Sequence, residues 1–202
     1  MGALSKLDAV NRILRGAGYS PVNSLETDGV NDATVAEQVL DETNMQVQLP
    51  GIHCNTRVTT YTPDSSGHIA IPDETLEVDT TGVSAYKNVC QTGKAPTLLY
   101  DLDNETDEFE DDLHLRIVVL IDFDELPTGT QFEVADLAAV IFQELTVGDP
   151  NLDRSLINLA VQSRMASRAA NVRLSDKNLF RSSQTAAQAA RRDRNYWTGG
   201  WA

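Results

Sequence analysis

An acidic run from residue 101 to residue 112 holds the residues that come nearest to a metal site. Five of its carboxylates have the spacing of positions 1, 3, 5, 7 and 12 of an EF-hand calcium loop. Thr106 stands where that loop needs glycine, and the flanking residues predict strands rather than helices. One interpretation is a weak calcium site of another kind. The other is a solvated acidic contact loop formed by Asp101, Asp103, Glu105, Asp107, Glu108, Asp111 and Asp112.

Other residue types that could do chemistry are scattered. The three histidines, His53, His68 and His114, lack the spacing of metal ligands, and we interpret them as ordinary strand positions. Cys54 and Cys90 are far apart, which favours two buried thiols in a reducing compartment over a disulfide. The sequence has no nucleophile elbow, no glycine-rich phosphate loop and no Cys-x-x-Cys pair. It therefore predicts neither an enzyme nor a bound cofactor.

The C-terminal portion is basic although the whole chain has a net charge of −14. Residues 1–163 hold 28 acidic and 8 basic side chains, whereas residues 164–202 hold 2 acidic and 8 basic ones. This asymmetry predicts a basic end that meets an acidic partner. Aromatic and arginine side chains are enriched among binding hot spots. The candidate anchors are Arg164, Arg168, Arg173, Arg181, Arg191, Arg192, Arg194, Tyr196, Trp197 and Trp201.

Composition limits the class of protein. The chain has 202 residues, 41% of them hydrophobic, which is enough for a real core. The longest apolar run, residues 137–142, falls far short of the roughly 18 residues of a membrane span. No signal peptide is visible at the N-terminus. We therefore expect a folded protein with no membrane segment.

Helical periodicity appears at both ends of the chain. The first pattern predicts a helix over residues 4–17, with Ser5 and Asp8 in a capping box, and the second predicts a helix from about Asp32 to Val47 with Asn31 as N-cap. After Pro127 the helical period returns. One face carries Val134, Leu137, Ala138, Ile141 and Leu145, and a second carries Phe132, Ala135, Ala139 and Phe142. A fourth helix follows through Leu156, Leu159, Ala160, Ser163, Ala166 and Ala170.

Between these helices, turn residues separate short β-rich runs, which is typical of an antiparallel barrel or sandwich. The predicted strands are His53–Tyr61, His68–Ile71, Leu76–Val78, Ala85–Cys90, Leu98–Leu102 and Leu115–Phe123. The sequence thus predicts an α+β fold in which two N-terminal and two C-terminal helices form one bundle. The predicted parts are residues 1–49 and 128–174 for the bundle, 50–127 for the inserted β domain, and 175–202 for an extended C-terminal arm.

Three segments, taken in order, resemble one family. The first is Leu7-Asp8-Ala9-Val10-Asn11-Arg12-Ile13-Leu14, with Gly18, Pro21, Val22 and Leu25 after it. The second runs from Leu99 to Phe109, and the third from Ile117 to Pro127. Together they resemble the tail tubular protein A adaptors of T7-like podophages, over most of residues 4–175.

The resemblance implies a structural virion protein without activity or cofactor. It implies a ring, a dodecamer below the portal protein, with the tail nozzle protein (tail tubular protein B) beneath it and tail fibres nearby. DNA would pass through the lumen without specific binding. The protein would belong to the virion tail and would be assembled in the bacterial host cytoplasm.

Two hypotheses about mechanism follow, with two rivals. The basic segment 164–194 would reach onto the acidic body of a neighbouring subunit or onto the portal, and the acidic body would form a channel that does not grip phosphates. One rival is an acidic calcium-binding module that uses the 101–112 loop. The other is a nucleic-acid-binding protein that uses the basic tail, which ranks last because the whole chain is acidic.

Overall fold

The computed structural model describes residues 3–25, 32–82, 87–93 and 96–174. Within them no helix is long and apolar enough to cross a membrane. The elements, in chain order, are α1 (Lys6–Gly16), α2 (Asp32–Gln48), β1 (Thr56–Tyr61), β2 (Thr75–Thr80), β3 (Val89–Gln91), β4 (Leu99–Asp101), β5 (Leu113–Val119), a 3₁₀ turn (Phe123–Glu125), α3 (Thr128–Thr146) and α4 (Pro150–Leu174). This order confirms the predicted α+β class, with two helices on each side of a β region.

The first helix begins at the predicted cap. Ser5 Oγ accepts a hydrogen bond from the Asp8 amide at 3.2 Å and donates one to the Asp8 carboxylate at 2.6 Å. Gly18, with φ of +84°, follows the helix in a conformation that glycine adopts without strain. The cap predicted for α2, Asn31, lies outside the described residues.

The helical core lies where α1, α2 and α3 meet. Ile13, Leu14, Leu40 and Phe142 are completely or almost completely buried there. The Tyr19 ring packs edge-on against Phe142, with 5.8 Å between ring centroids. Both predicted faces of α3 contribute to packing, except that Leu145 is 67% exposed.

The strands form two small antiparallel sheets, one of three strands in the order β1-β5-β2 and one that pairs β3 with β4. Their shared core includes Ile69, Leu99, Phe109, Leu115 and Ile117. The central β5 is the most hydrophobic strand, which agrees with the sequence. Among the described residues the sheets are open, and the closed barrel expected as one possibility is not seen.

Several strand boundaries differ from the prediction. β1 begins at Thr56 because Asn55 ends a tight turn, in which its side-chain oxygen accepts the Ile52 amide at 2.7 Å. His53 therefore precedes the strand. The predicted strand at 68–71 is only an isolated bridge between Ala70 and Leu98. β5 starts at Leu113 and ends at Val119, earlier than predicted.

Two buried glutamines tie the β region to the helices. The Gln48 side chain, at the end of α2, accepts from the Ile121 amide at 2.9 Å and donates to the Ile121 carbonyl at 2.7 Å. The Gln131 side chain, in α3, accepts from the Leu4 amide at 2.9 Å and donates to the Phe123 carbonyl at 3.0 Å. Both glutamines are fully buried, so their side-chain amides need partners inside the protein, and these backbone groups supply them.

Candidate assembly surface

The fourth helix is the least covered element of the helical region. Of its 25 residues only Ala160 and Ser167 are buried. It packs on α3 and on the end of α1, where Gly16 leaves room for Leu156: a β-carbon at Gly16 would lie 3.3 Å from Leu156 Cδ2. Within the described part of the chain, most of the remaining surface of α4 is exposed.

A buried carboxylate fixes α4 against α3. Asp136, 2% exposed, accepts a hydrogen bond from Arg12 Nε at 2.5 Å and a second, short one from Ser163 Oγ. The Arg12 guanidinium also lies 5.2 Å from the centre of the Phe132 ring. Asp136 thus connects α1, α3 and α4 through charge-assisted hydrogen bonds.

Arg164 and Arg168 of α4 line a groove of about 390 Å³ between α4, α3 and the end of α2. Arg164 Nε lies 3.9 Å from Glu133 Oε1, and its side chain is 56% exposed, so this pair is weak. Arg168 has no carboxylate within 4 Å among the described residues. The groove therefore presents two arginines that intramolecular contacts hardly neutralise.

One predicted anchor, Arg173, lies apart from Arg164 and Arg168. Arg173 lies nine residues after Arg164, which at about 100° per residue places it on the opposite side of α4. It is exposed and does not line the groove. The other predicted anchors, Arg181, Arg191, Arg192, Arg194, Tyr196, Trp197 and Trp201, lie outside the described residues.

The C-terminal part of α4 also fixes the start of the β region. The Asn171 side-chain oxygen accepts the His53 amide at 2.6 Å and lies 2.9 Å from His53 Nδ1. His53 is thus a packing contact between α4 and the segment before β1, rather than the strand position that the sequence predicts. His68 lies 3.6 Å from the Asp107 carboxylate.

The acidic loop is held by its first residue. Asp101, 2% exposed, accepts hydrogen bonds from the amides of Asp103 and Asn104 and from the Asn104 side chain, at 2.9, 3.1 and 3.0 Å. Burial acts to raise the pKa of Asp101. The hydrogen bonds and the charge of Lys87 outweigh it, so its pKa lies below the ordinary aspartate value.

Most of the remaining carboxylates of the loop lie at the surface. Asp103, Glu105, Glu108, Asp111 and Asp112 are exposed, while Phe109 is buried and anchors the loop beside Lys87. Strands flank the loop, and no three His, Cys, Asp or Glu side chains in the described part of the chain converge as a metal site would require. The geometry is therefore not that of an EF-hand, and the role of the loop as a contact surface stays a prediction.

Sequence reasoning missed an apolar stripe on the exposed side of α4. Ile157, Val161, Met165 and Val172 are 40%, 45%, 68% and 68% exposed. Their spacing of four, four and seven residues follows the helical period, and that signal was available in the sequence. The stripe lies beside an apolar hollow of about 120 Å³ lined by Leu137 and Val140 of α3.

Comparison with known proteins identifies the family of this chain. The profile of the tail tubular protein family matches residues 7–176. The chain is 28% identical to a protein named tail tubular protein A, from Klebsiella phage KP34, over 149 residues that cover 73% of this chain and 77% of that relative. The match covers both helical pairs and the β region between them. This chain belongs to the tail tubular protein family and is a structural protein of a phage tail.

Proposed function

We propose that this protein is a ring-forming adaptor that joins the portal to the tail nozzle of a short-tailed phage. The observation that carries the proposal is α4, a 25-residue helix with two buried residues, in a chain of this family. A soluble monomer gains little from such a helix, whereas a subunit of an assembly can bury it against a neighbour. The role is structural, and it needs no cofactor.

A ring of identical subunits requires heterologous contacts, in which one face of each copy meets a different face of the next. The opposite charges of the acidic body and the basic C-terminal portion support such pairing. Twelve copies would match a dodecameric portal. Tail tubular protein B, as the nozzle, and tail fibres would be the other protein partners, with assembly in the host cytoplasm.

The lumen of such a ring would carry DNA during ejection. A conduit must avoid gripping phosphates, because each basic contact adds salt-dependent affinity. Residues 1–163 carry a surplus of 20 negative charges, which suits a wall that repels DNA. Retention of duplex DNA by the isolated protein at moderate salt would argue against this part of the proposal.

The mass of the protein with and without portal tests the adaptor role. We expect one chain in free solution and twelve chains bound to each portal ring by native mass spectrometry. Absence of binding to the portal, at any concentration at which the free chain stays folded, would reject the adaptor role.

Residues 175–202 provide the second test. This segment holds five basic residues, two acidic residues and both tryptophans of the chain, and we propose that it attaches to the portal. Removal of residues 175–202 should leave the folded body intact, as circular dichroism would show, and should abolish stable attachment to the portal. Full attachment by the truncated chain would assign portal binding to the body instead.

A further inference from the structure

The exposed side of α4 combines apolar and basic groups. The apolar stripe of Ile157, Val161, Met165 and Val172 lies on the same side of the helix as Arg164 and Arg168; we call these six residues the α4 face. At about 100° per residue, all six fall within roughly a third of the helix circumference. An apolar centre with arginines beside it is typical of a protein–protein interface.

A second surface has the complementary character. An open depression of about 550 Å³ lies between the start of α1, α2 and the 3₁₀ turn. We call it the acidic depression, and its acidic and apolar lining includes Asp41, Met45, Leu120, Asp122, Asp124 and Glu125. Met45 is 49% exposed at this site. The acidic depression shares no residue with the α4 face.

Most carboxylates of the acidic depression are not paired with a basic side chain of the described residues. The one lysine there, Lys6, is already paired with Glu37 and Asp41, each at 2.9 Å. Asp122 and Glu125 are exposed and have no basic group within 4 Å among the described residues. Two unpaired carboxylates on one surface therefore match two weakly paired arginines on the other.

We propose that the α4 face of one copy docks into the acidic depression of the next copy. The inference rests on the proposed ring and names the two faces that form it. The C-terminal segment fits the α4 face less well, because residues 175–202 carry a net positive charge and would meet Arg164 and Arg168. Two different surfaces on each subunit make the contact heterologous, as a ring requires.

Disulfide trapping tests the pairing directly. In a Cys54→Ser, Cys90→Ser background, Met45→Cys and Met165→Cys are placed on one chain, which is assembled on portal and oxidised. Both methionines are exposed, so the substitutions should cost little stability. We expect a ladder of covalent oligomers that extends beyond dimers, since each subunit links to two neighbours. Each single-cysteine variant should remain monomeric after oxidation.

Different results would overturn the inference in different ways. Twelve bound chains without a ladder would show that other faces form the ring, while the adaptor role would stand. Dimers from Met165→Cys alone would show that α4 packs against α4 of a second copy. If no complex with portal forms before oxidation, the proposed function and the inference fall together.

Charge reversal provides an independent test with a matched control. Arg164→Glu with Arg168→Glu should lower the yield of the ladder about tenfold or more, and adding Asp122→Arg with Glu125→Arg on the same chain should restore it. Arg173→Glu, on the opposite side of α4, should leave the ladder unchanged. A failure of the fourfold variant to recover, with its fold intact by circular dichroism, would contradict the pairing.

Discussion

Helices α3 and α4 are neighbours in sequence and in space, yet α3 is largely buried and α4 is largely exposed. Eleven of the 19 residues of α3 are buried, against two of the 25 residues of α4. The sequence of α3 is thus determined mainly by packing within one chain, and it includes buried Gln131, Asp136 and Gln143. The exposed apolar residues of α4 are not buried by the described part of the chain. We expect that contacts between subunits determine these residues of α4.

The largest expected effect contrasts a core residue of α3 with an exposed residue of α4. Phe142→Ala removes a fully buried ring that contacts Tyr19, and we expect a loss of about 3–5 kcal/mol in the free energy of unfolding. Met165→Ala, 68% exposed, should change it by less than about 0.5 kcal/mol. Urea denaturation of the free chain measures both. A comparable loss of unfolding free energy from the two substitutions would contradict the difference between the two helices.

The contact between the two helices comes next in size. Asp136→Ala leaves the Arg12 guanidinium and the Ser163 hydroxyl without their shared acceptor. We expect a cost of about 2–3 kcal/mol, below that of a fully buried pair because the Arg12 side chain is 31% exposed. A double-mutant cycle with Arg12→Ala should give a coupling energy of the same sign. Additive effects would show that Arg12 and Asp136 do not act together.

The acidic loop is exposed, as α4 is, but it is fixed by its own hydrogen bonds. Because the pKa of Asp101 is lowered in the folded protein, its contribution is present above about pH 4 and is lost as the pH falls through the lowered pKa. Hydrogen exchange of the Asp103 and Asn104 amides should therefore lose protection only in acid. Asp101→Asn should show weak protection that does not change across this range. Equal protection in both proteins would mean that the charge does not hold the loop.

The smallest expected effect sharpens the contrast between stability and assembly. Arg168→Ala removes an exposed side chain without an ion-pair partner in the described part of the chain, so the free energy of unfolding should change by less than about 0.5 kcal/mol. Binding between copies on portal should nonetheless weaken measurably in sedimentation experiments. A loss of more than 1 kcal/mol of stability would assign Arg168 a role inside the subunit.

The sequence predicts what depends on near neighbours along the chain. The cap at Ser5, the four helices, the central strand β5 and the α+β order all follow from local patterns, and the structure confirms them. The residues of one helix that share a face follow from the same period, so the separation of Arg173 from Arg164 was predictable. The domain boundaries and the residues proposed for partner contacts stay predictions.

The parts that sequence could not give depend on distant partners. Gln48 bonds to a residue 73 positions away, and Asp136 bonds to one 124 positions away. Nothing in the local pattern distinguishes these side chains from the exposed glutamines and aspartates nearby. The early end of β5 also involves a distant partner, because the Ile121 amide and carbonyl bond to the Gln48 side chain and not to a neighbouring strand.

The two buried glutamines also have a mechanical consequence. A body held by one connection can swivel, whereas a body held at two separated points resists twisting. The β sheets join the helices through two segments, one before β1 and one after β5, and both are held. Gln48, at the end of α2, accepts from Asn55 Nδ2 before β1 at 3.2 Å. After β5, Gln48 binds the Ile121 amide and Gln131 of α3 binds the Phe123 carbonyl. A load applied to the sheets would therefore pass into both helices at once and be spread over the core they share, and the two connecting segments would act as a stiff bracket.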